Sequence, residues 1–303
     1  MVIDLGQTAR PLVEVVSGSV IPARTTVAAN DMIARFRLHV LDRIEAVGMA
    51  PRPFHHLFIE EVLPADFHAA VRDHMLLCKR GHAVQDRTQD SGAFVNRRHN
   101  LAASKDDVAV YLRMVFSDPE VKLALLRKFY IAPSQKLAES LIIHDEFEYI
   151  FTQAGRFQTI HLDIPPKFLS FVFYVPTAPM TAEEAFANAT ILYDKGLRPH
   201  SCARFEANAV CIFAPHFSSY HGFASTRDRD VLVMFYLDPT ALVHYAAMRN
   251  AGLDNGPPFD GLLDGIERKL RLHPLIEYGD DGLRLLGERG ECLVNAPNGR
   301  VVR

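Results

Sequence analysis

Four runs rich in β-branched and aromatic residues crowd the stretch from Phe157 to Tyr236: FQTIHLDIPPKFLSFVFYV, ATILYDKG, ANAVCIFAPHFSSYHGF and RDRDVLVMFY. Pro, Gly, Asn and Asp punctuate them, which is the pattern of short antiparallel strands. A β-sheet core built from this block is therefore the fixed point of any fold. The segments on either side must support it.

Those flanks carry helical spacing. After Asn30-Asp31, Ile33, Phe36, Val40, Ile44 and Val47 recur as on one helix face, and Gly48 is placed to end the helix. Phe67, Val71, Met75 and Cys78 form a second stripe, with Pro64 at a first helical position. SKDDVAVYLRMVF opens with a Ser-x-x-Asp pattern close to a capping box, and DPEVKLALLRKFY follows as a further helix. Residues 11–22 read as a strand or hairpin and 141–151 as a strand leading into the sheet. The polar, aperiodic residues 82–100 read as a loop or lid, and Ala178–Ala189 as a joint holding a short helix. Beyond Pro239 two more helical patterns follow, PTALVHYAAMRNAG and FDGLLDGIERKLRLHP. The expected organisation is one domain over 1–303: helical support and lid over 1–140, β core over 141–238, and a helical extension over 239–303.

Composition excludes several classes. With 49 % hydrophobic and 23 % charged residues the chain is an ordinary globular protein, long enough to bury a large core. A net charge of −3 and the lack of a basic stripe argue against a nucleic-acid partner. No apolar run approaches the roughly 20 residues of a membrane span, and no basic-then-apolar leader opens the chain. Cys78, Cys202, Cys211 and Cys292 are scattered, without a CxxC pair, as expected of reduced thiols. These features point to the cytoplasm. A homo-oligomer stays open.

His161 and Asp163 lie two residues apart, so on a strand both face one side. His221 follows a later apolar strand. Two imidazoles and a carboxylate leave open positions on an octahedral metal, the set that non-haem Fe(II) uses when it must also bind a co-substrate and O₂. Arg229 opens the next strand, where a guanidinium could pair with a carboxylate through two hydrogen bonds. Arg227, two residues earlier, would share its face if the strand began that early. His144-x-Glu146 offers a rival ligand pair but lacks a second histidine in comparable context. His216, His200 and the His55-His56 pair read as turn, exposed or hydrogen-bonded histidines.

The ordered set of His161-x-Asp163, SYHG at Ser219 to Gly222, and R-x-x-L-x-x-x-Y from Arg229 to Tyr236 resembles the prolyl-4-hydroxylase-like Fe(II)/2-oxoglutarate-dependent oxygenases. The resemblance covers residues 157–236. PFHHLFIEEVLPADF further resembles the extended segment that precedes the core in many members. It implies an α+β protein whose core is a double-stranded β-helix, or jelly roll, flanked by N- and C-terminal helices. It also implies Fe(II) on His161, Asp163 and His221, and 2-oxoglutarate paired through its far carboxylate with Arg229. Tyr174 resembles a tyrosine that helps bind that carboxylate. Because Asp163 is present, hydroxylation is implied over halogenation, whose members replace this carboxylate with a small residue. The implied reaction hydroxylates an unactivated C–H of a small molecule with O₂, releasing succinate and CO₂. Arg97 and Arg98 are candidates to bind an anionic group of that substrate. Two alternatives remain: the same chemistry on a protein or peptide side chain, and a cupin-like metal-binding protein without oxygenase activity.

Overall fold

The computed structural model describes residues 27–81, 85–88, 95–143, 147–164, 166–215, 219–252, 275–279, 282–286 and 292–296. Its first half is mainly helical. Helix α1 (Val27–Ala46) buries Phe36, Val40 and Ile44, four residues apart along one face. It ends at Ala46, two residues before Gly48. Strand β1 (His56–Ile59) follows, then α2 (Ala65–Arg80), which buries Phe67, Val71 and Met75 and uses Pro64 as its N-cap. Asp106, rather than Ser104, caps α3 (Asp107–Ser117) by accepting from the Val108 amide. Asp118 caps α4 (Pro119–Phe129) and Ser134 caps α5 (Gln135–Ser140). Each cap satisfies amides that the first helical turn cannot pair internally.

Residues 82–100 do not form the expected loop where they are described. Strands β2 (Gln85–Thr88) and β3 (Val95–Asn100) pair with each other, and β3 pairs with β4 (Glu148–Thr152). The segment VNRRHN is polar after Val95, so backbone pairing makes the strand without an apolar alternation to announce it. Of the strand expected over 141–151, β4 covers the part from Glu148 and Ile142 bridges to Leu237, while residues 144–146 lie outside the described residues.

Eight strands are then shared between two sheets, changing sheet at every step except the β7–β8 hairpin: β4, β5 (Phe157–His161), β6 (Lys167–Tyr174), β7 (Thr190–Tyr193), β8 (Pro199–Ala203), β9 (Ala209–Phe213), β10 (His221–Ala224) and β11 (Arg229–Leu237). In the larger sheet the order is β1-β9-β6-β11-β4-β3-β2, and in the smaller β5-β10-β7-β8. All these pairings are antiparallel. This connectivity is the double-stranded β-helix, a jelly roll in which the chain repeatedly crosses from sheet to sheet.

Strand parity divides the larger sheet between two cores. On β11, Leu232, Met234 and Tyr236 join the helices' cluster, while Val231, Val233 and Phe235 face the interior between the sheets. On β6, Leu169, Phe171 and Phe173 face the helices, and Val172 and Tyr174 the interior. Phe116 of α3 stands edge-on to Phe173 at 5.3 Å and to Phe171 at 6.2 Å, seating the helices on the sheet. Tyr236 keeps its hydroxyl satisfied by donating to Phe116 O at 2.8 Å.

Between β6 and β7 lies α6 (Ala182–Ala187), opened by a full capping box of Thr181 and Glu184. Helix α7 (Pro239–Asn250) follows β11, as its pattern predicts. The remainder of the expected helical extension needs correction. Strands β12 (Leu275–Gly279), β13 (Gly282–Leu286) and β14 (Cys292–Ala296) form an antiparallel three-stranded sheet. Short apolar runs between glycines carry the strand signal there. The hairpin expected at 11–22 and the second C-terminal helical pattern lie outside the described residues. Among those described, no helix is long and apolar enough to cross a membrane.

Candidate metal centre

His161 ends β5 and His221 begins β10, and the two residues are direct cross-strand partners. Their rings stand 4.2 Å apart. Asp163, just past the end of β5, completes a group whose candidate ligand atoms all lie within 4.8 Å of one another. Among the described residues no other cluster of His, Cys, Asp or Glu has this closeness.

Hydrogen bonds fix which nitrogen each ring offers. His161 Nδ1 lies 2.9 Å from Thr159 O, and His221 Nδ1 2.9 Å from Ser219 O. A carbonyl can only accept, so both Nδ1 atoms carry the proton and both Nε2 atoms keep a lone pair for a cation. Burial pushes His221 down to about 4, so this ring is neutral at pH 7. Burial pushes Asp163 up, but the Lys167 ammonium at 3.1 Å, the two imidazoles and the Ser170 hydroxyl together hold it well below the usual carboxylate range. The donor set is thus two imidazoles, each held through Nδ1 by a backbone carbonyl, and one carboxylate.

Lys167 and Ser170 come from β6 and were not anticipated. Lys167 has a side chain only 6 % exposed and rests over the Phe235 ring at 3.4 Å. Both residues line a cavity of about 390 Å³ between the sheets, shared with the His161, Asp163 and His221 cluster.

The same cavity reaches Arg229, which is 2 % exposed. Arg229 shares the interior parity of Val231, Val233 and Phe235. It donates from Nη2 to Thr190 Oγ1 at 2.8 Å and from Nε to Asn188 O at 3.1 Å, and lies over Phe223 at 3.9 Å. Burial lowers it to about 10, so it remains a cation at neutral pH. No carboxylate among the described residues forms an ion pair with it. Arg227 goes elsewhere, to Glu184 at 3.2 Å and Pro179 O at 3.3 Å. Of the two arginines, Arg229 is the one on the cavity wall.

Asn188 explains why this wall holds its shape. It caps the C-terminal end of α6, and its side-chain oxygen accepts from the Thr226 amide at 2.9 Å. Its backbone oxygen receives Arg229. Tyr174 does not reach the cavity wall. It is fully buried behind Thr190, to which its hydroxyl donates at 2.7 Å, with its ring 5.5 Å from the Arg229 guanidinium. Thr190, one position into β7, is the polar group on the wall.

Arg97 and Arg98 separate by strand parity. Arg98 lines the cavity and pairs with the buried Glu148 at 2.9 Å, whereas Arg97 is exposed and is not part of the lining. His56 is buried and donates to Phe54 O, and His200 is exposed; neither joins the cluster. His144, Glu146 and His216 lie outside the described residues.

A double-stranded β-helix with two imidazoles and one carboxylate facing a shared interior cavity is the class that fold and site define. Three solved structures to which this one is similar are the following. Against a Pseudomonas putida prolyl-4-hydroxylase the TM-score is 0.47 at 16 % identity, covering 68 % of this chain and 98 % of that one. Against a Trichoplax adhaerens prolyl hydroxylase, solved with a hypoxia inducible factor peptide, the values are 0.48 and 11 %, covering 72 % and 96 %. A Burkholderia pseudomallei protein of the 2OG-Fe(II) oxygenase family gives 0.44 and 13 %, covering 67 % and 91 %. No protein-family model matches the sequence. No curated protein matches it either.

Proposed function

We propose that this chain is an Fe(II)- and 2-oxoglutarate-dependent oxygenase that hydroxylates an unactivated C–H of a small molecule. His161 Nε2, His221 Nε2 and the Asp163 carboxylate would hold the iron. Arg229 and Thr190 would hold the far carboxylate of 2-oxoglutarate, with Tyr174 supporting Thr190 from behind. Bound together, metal and co-substrate supply the oxygen chemistry, one atom of O₂ entering succinate as CO₂ leaves and the other entering the substrate C–H.

The observation that carries this reading is Arg229. A buried cation on a cavity wall, given only neutral acceptors among the described residues, is costly to the fold unless an anion completes it. It shares that cavity with a donor set suited to Fe(II). The chain's own work is then positional. Thr159 O and Ser219 O hold the two imidazole tautomers, Lys167 and Ser170 hold the carboxylate, and Asn188 O and Thr190 aim the guanidinium. Val172, Val231, Val233, Phe213, Phe223 and Phe235 supply apolar wall that limits water. A cavity of about 390 Å³ suits a small molecule better than an extended peptide. Arg98 on the wall is placed to meet an anionic group of that molecule.

Anaerobic titration with Fe(II) and 2-oxoglutarate tests the assignment through the weak visible charge-transfer band of the chelate. Wild type should develop the band and His161→Ala should not. No band in wild type, or an unchanged band in His161→Ala, overturns it. Succinate formation coupled to O₂ uptake separates an oxygenase from a metal-binding jelly roll, which would release none.

A further inference from the structure

The pairing of β5 with β10 contains an irregularity. His221 pairs with His161, but Phe223 pairs with Gln158, so Thr159 and Ile160 together oppose the single residue Gly222. This is a β-bulge, with one extra residue on β5. In a regular strand Gln158 and His161, three positions apart, would face opposite sides. The bulge cancels that parity. Both residues line the cavity, while Phe157 and Ile160 are exposed.

Gly222 is the residue that lets the bulge fit. A Cβ there would meet Gln158 O at 2.9 Å, Thr159 O at 3.2 Å and Thr159 C at 3.3 Å, all backbone atoms that cannot swing aside. The bulge then grips His161 at both ring nitrogens. Thr159 O accepts from Nδ1, and Gln158 Nε2 lies 3.0 Å from His161 Nε2. Since Nδ1 carries the proton, Nε2 is the acceptor and the Gln158 amide the donor. The Nε2 lone pair can be given to that amide or to a cation, but not to both.

We propose that Gln158 is a positioning residue of the metal centre, turned in by the Gly222-dependent bulge to compete with the metal for His161 Nε2. The inference rests on the metal reading above and adds a tuning group to it. Gln158 keeps the ring in its ligating orientation and weakens metal binding by the worth of one hydrogen bond. Once displaced, its amide is left on the cavity wall beside the metal, where it can donate to or accept from a bound molecule.

The test is Mn(II) affinity, read from the free-ion EPR signal at one pH, in wild type, Gln158→Met and Gln158→Leu. Neither replacement can donate to Nε2, and both are close in size to Gln. Each should bind Mn(II) on the order of fivefold more tightly than wild type, the equivalent of one neutral hydrogen bond, with an unchanged melting temperature. A merely structural role would move affinity the other way. Equal or weaker binding in both variants at wild-type melting temperature overturns the proposal. Failure of the underlying metal reading looks different: wild type would take up no Mn(II), and His161→Ala would match it.

Discussion

Replacing Arg229 by methionine should separate stability from co-substrate binding. The side chain is 2 % exposed, and burial brings its ionisation from 12.5 to about 10. Holding this cation in the fold therefore costs on the order of 3 kcal/mol relative to water. Methionine removes that cost and also removes the bonds to Thr190 Oγ1 and Asn188 O, each worth about 1 kcal/mol. Thr190 Oγ1 retains the hydroxyl of Tyr174 as a partner. The net expectation is a protein about 1 kcal/mol more stable, seen as a melting temperature higher by about 2–4 °C. Binding should move the other way. A carboxylate losing a guanidinium partner forfeits about 2–4 kcal/mol, roughly 30- to 900-fold in Kd. Differential scanning fluorimetry and titration of the Fe(II) protein with 2-oxoglutarate read the two effects. A variant destabilised by about 3 kcal/mol or more, with 2-oxoglutarate affinity intact, would refute the view that Arg229 is a ligand-binding cation kept at the expense of the fold.

Three further outcomes follow from parts of the structure remote from Arg229 or opposite it. Phe116→Ala opens a gap between α3 and the aromatic face of β6, so urea unfolding should show a loss of about 3–5 kcal/mol while the folded fraction binds metal normally. Arg98→Ala should raise the KM of an anionic substrate and Arg97→Ala should not, because only Arg98 is on the cavity wall; equal KM changes in the two variants contradict the assignment. Lys122, whose ammonium donates to Leu141 O, is brought by burial from 10.5 to about 8. The unfolded chain therefore holds this proton more tightly, and the group's contribution to stability should rise from pH 8 to 10.5. Lys122→Met should flatten that part of the pH–stability curve, and an unchanged rise removes Lys122 as its source.

The β core was legible because its signal is local. Near-continuous apolar runs marked β6, β9 and β11, and parity alone put His161 and Asp163 on one side of the chain. The choice between Arg227 and Arg229 was not legible, since both have the same parity and only the Glu184 contact shows where the strand begins. Tyr174 had the right parity and the wrong depth: Thr190, from the opposite sheet, stands between it and the cavity. Lys167, Ser170 and Asn188 escaped notice for the same reason, because their roles depend on pairing across sheets. Gln158 was hidden by its parity, which only the register across Gly222 reverses. The β2–β3 hairpin has no apolar alternation, so its strands are made by backbone pairing that composition does not advertise.

The division of β11 between two cores also governs what changes of length the chain can accept. Arg229 faces the cavity and its neighbour Asp230 faces Lys79 of α2, at 2.8 Å on the other side of the sheet. A shift of β11 by one residue would exchange them, placing a carboxylate in the cavity and a guanidinium against a lysine. The apolar residues would barely register the exchange, because both faces of the strand are buried and both accept aliphatic or aromatic side chains. What would change is the sign of charge that the cavity offers a ligand. The connection from Ser225 to Asp228 should therefore tolerate substitution far better than an insertion that moves the register of β11, which would replace the guanidinium on the cavity wall by a carboxylate while leaving a foldable strand.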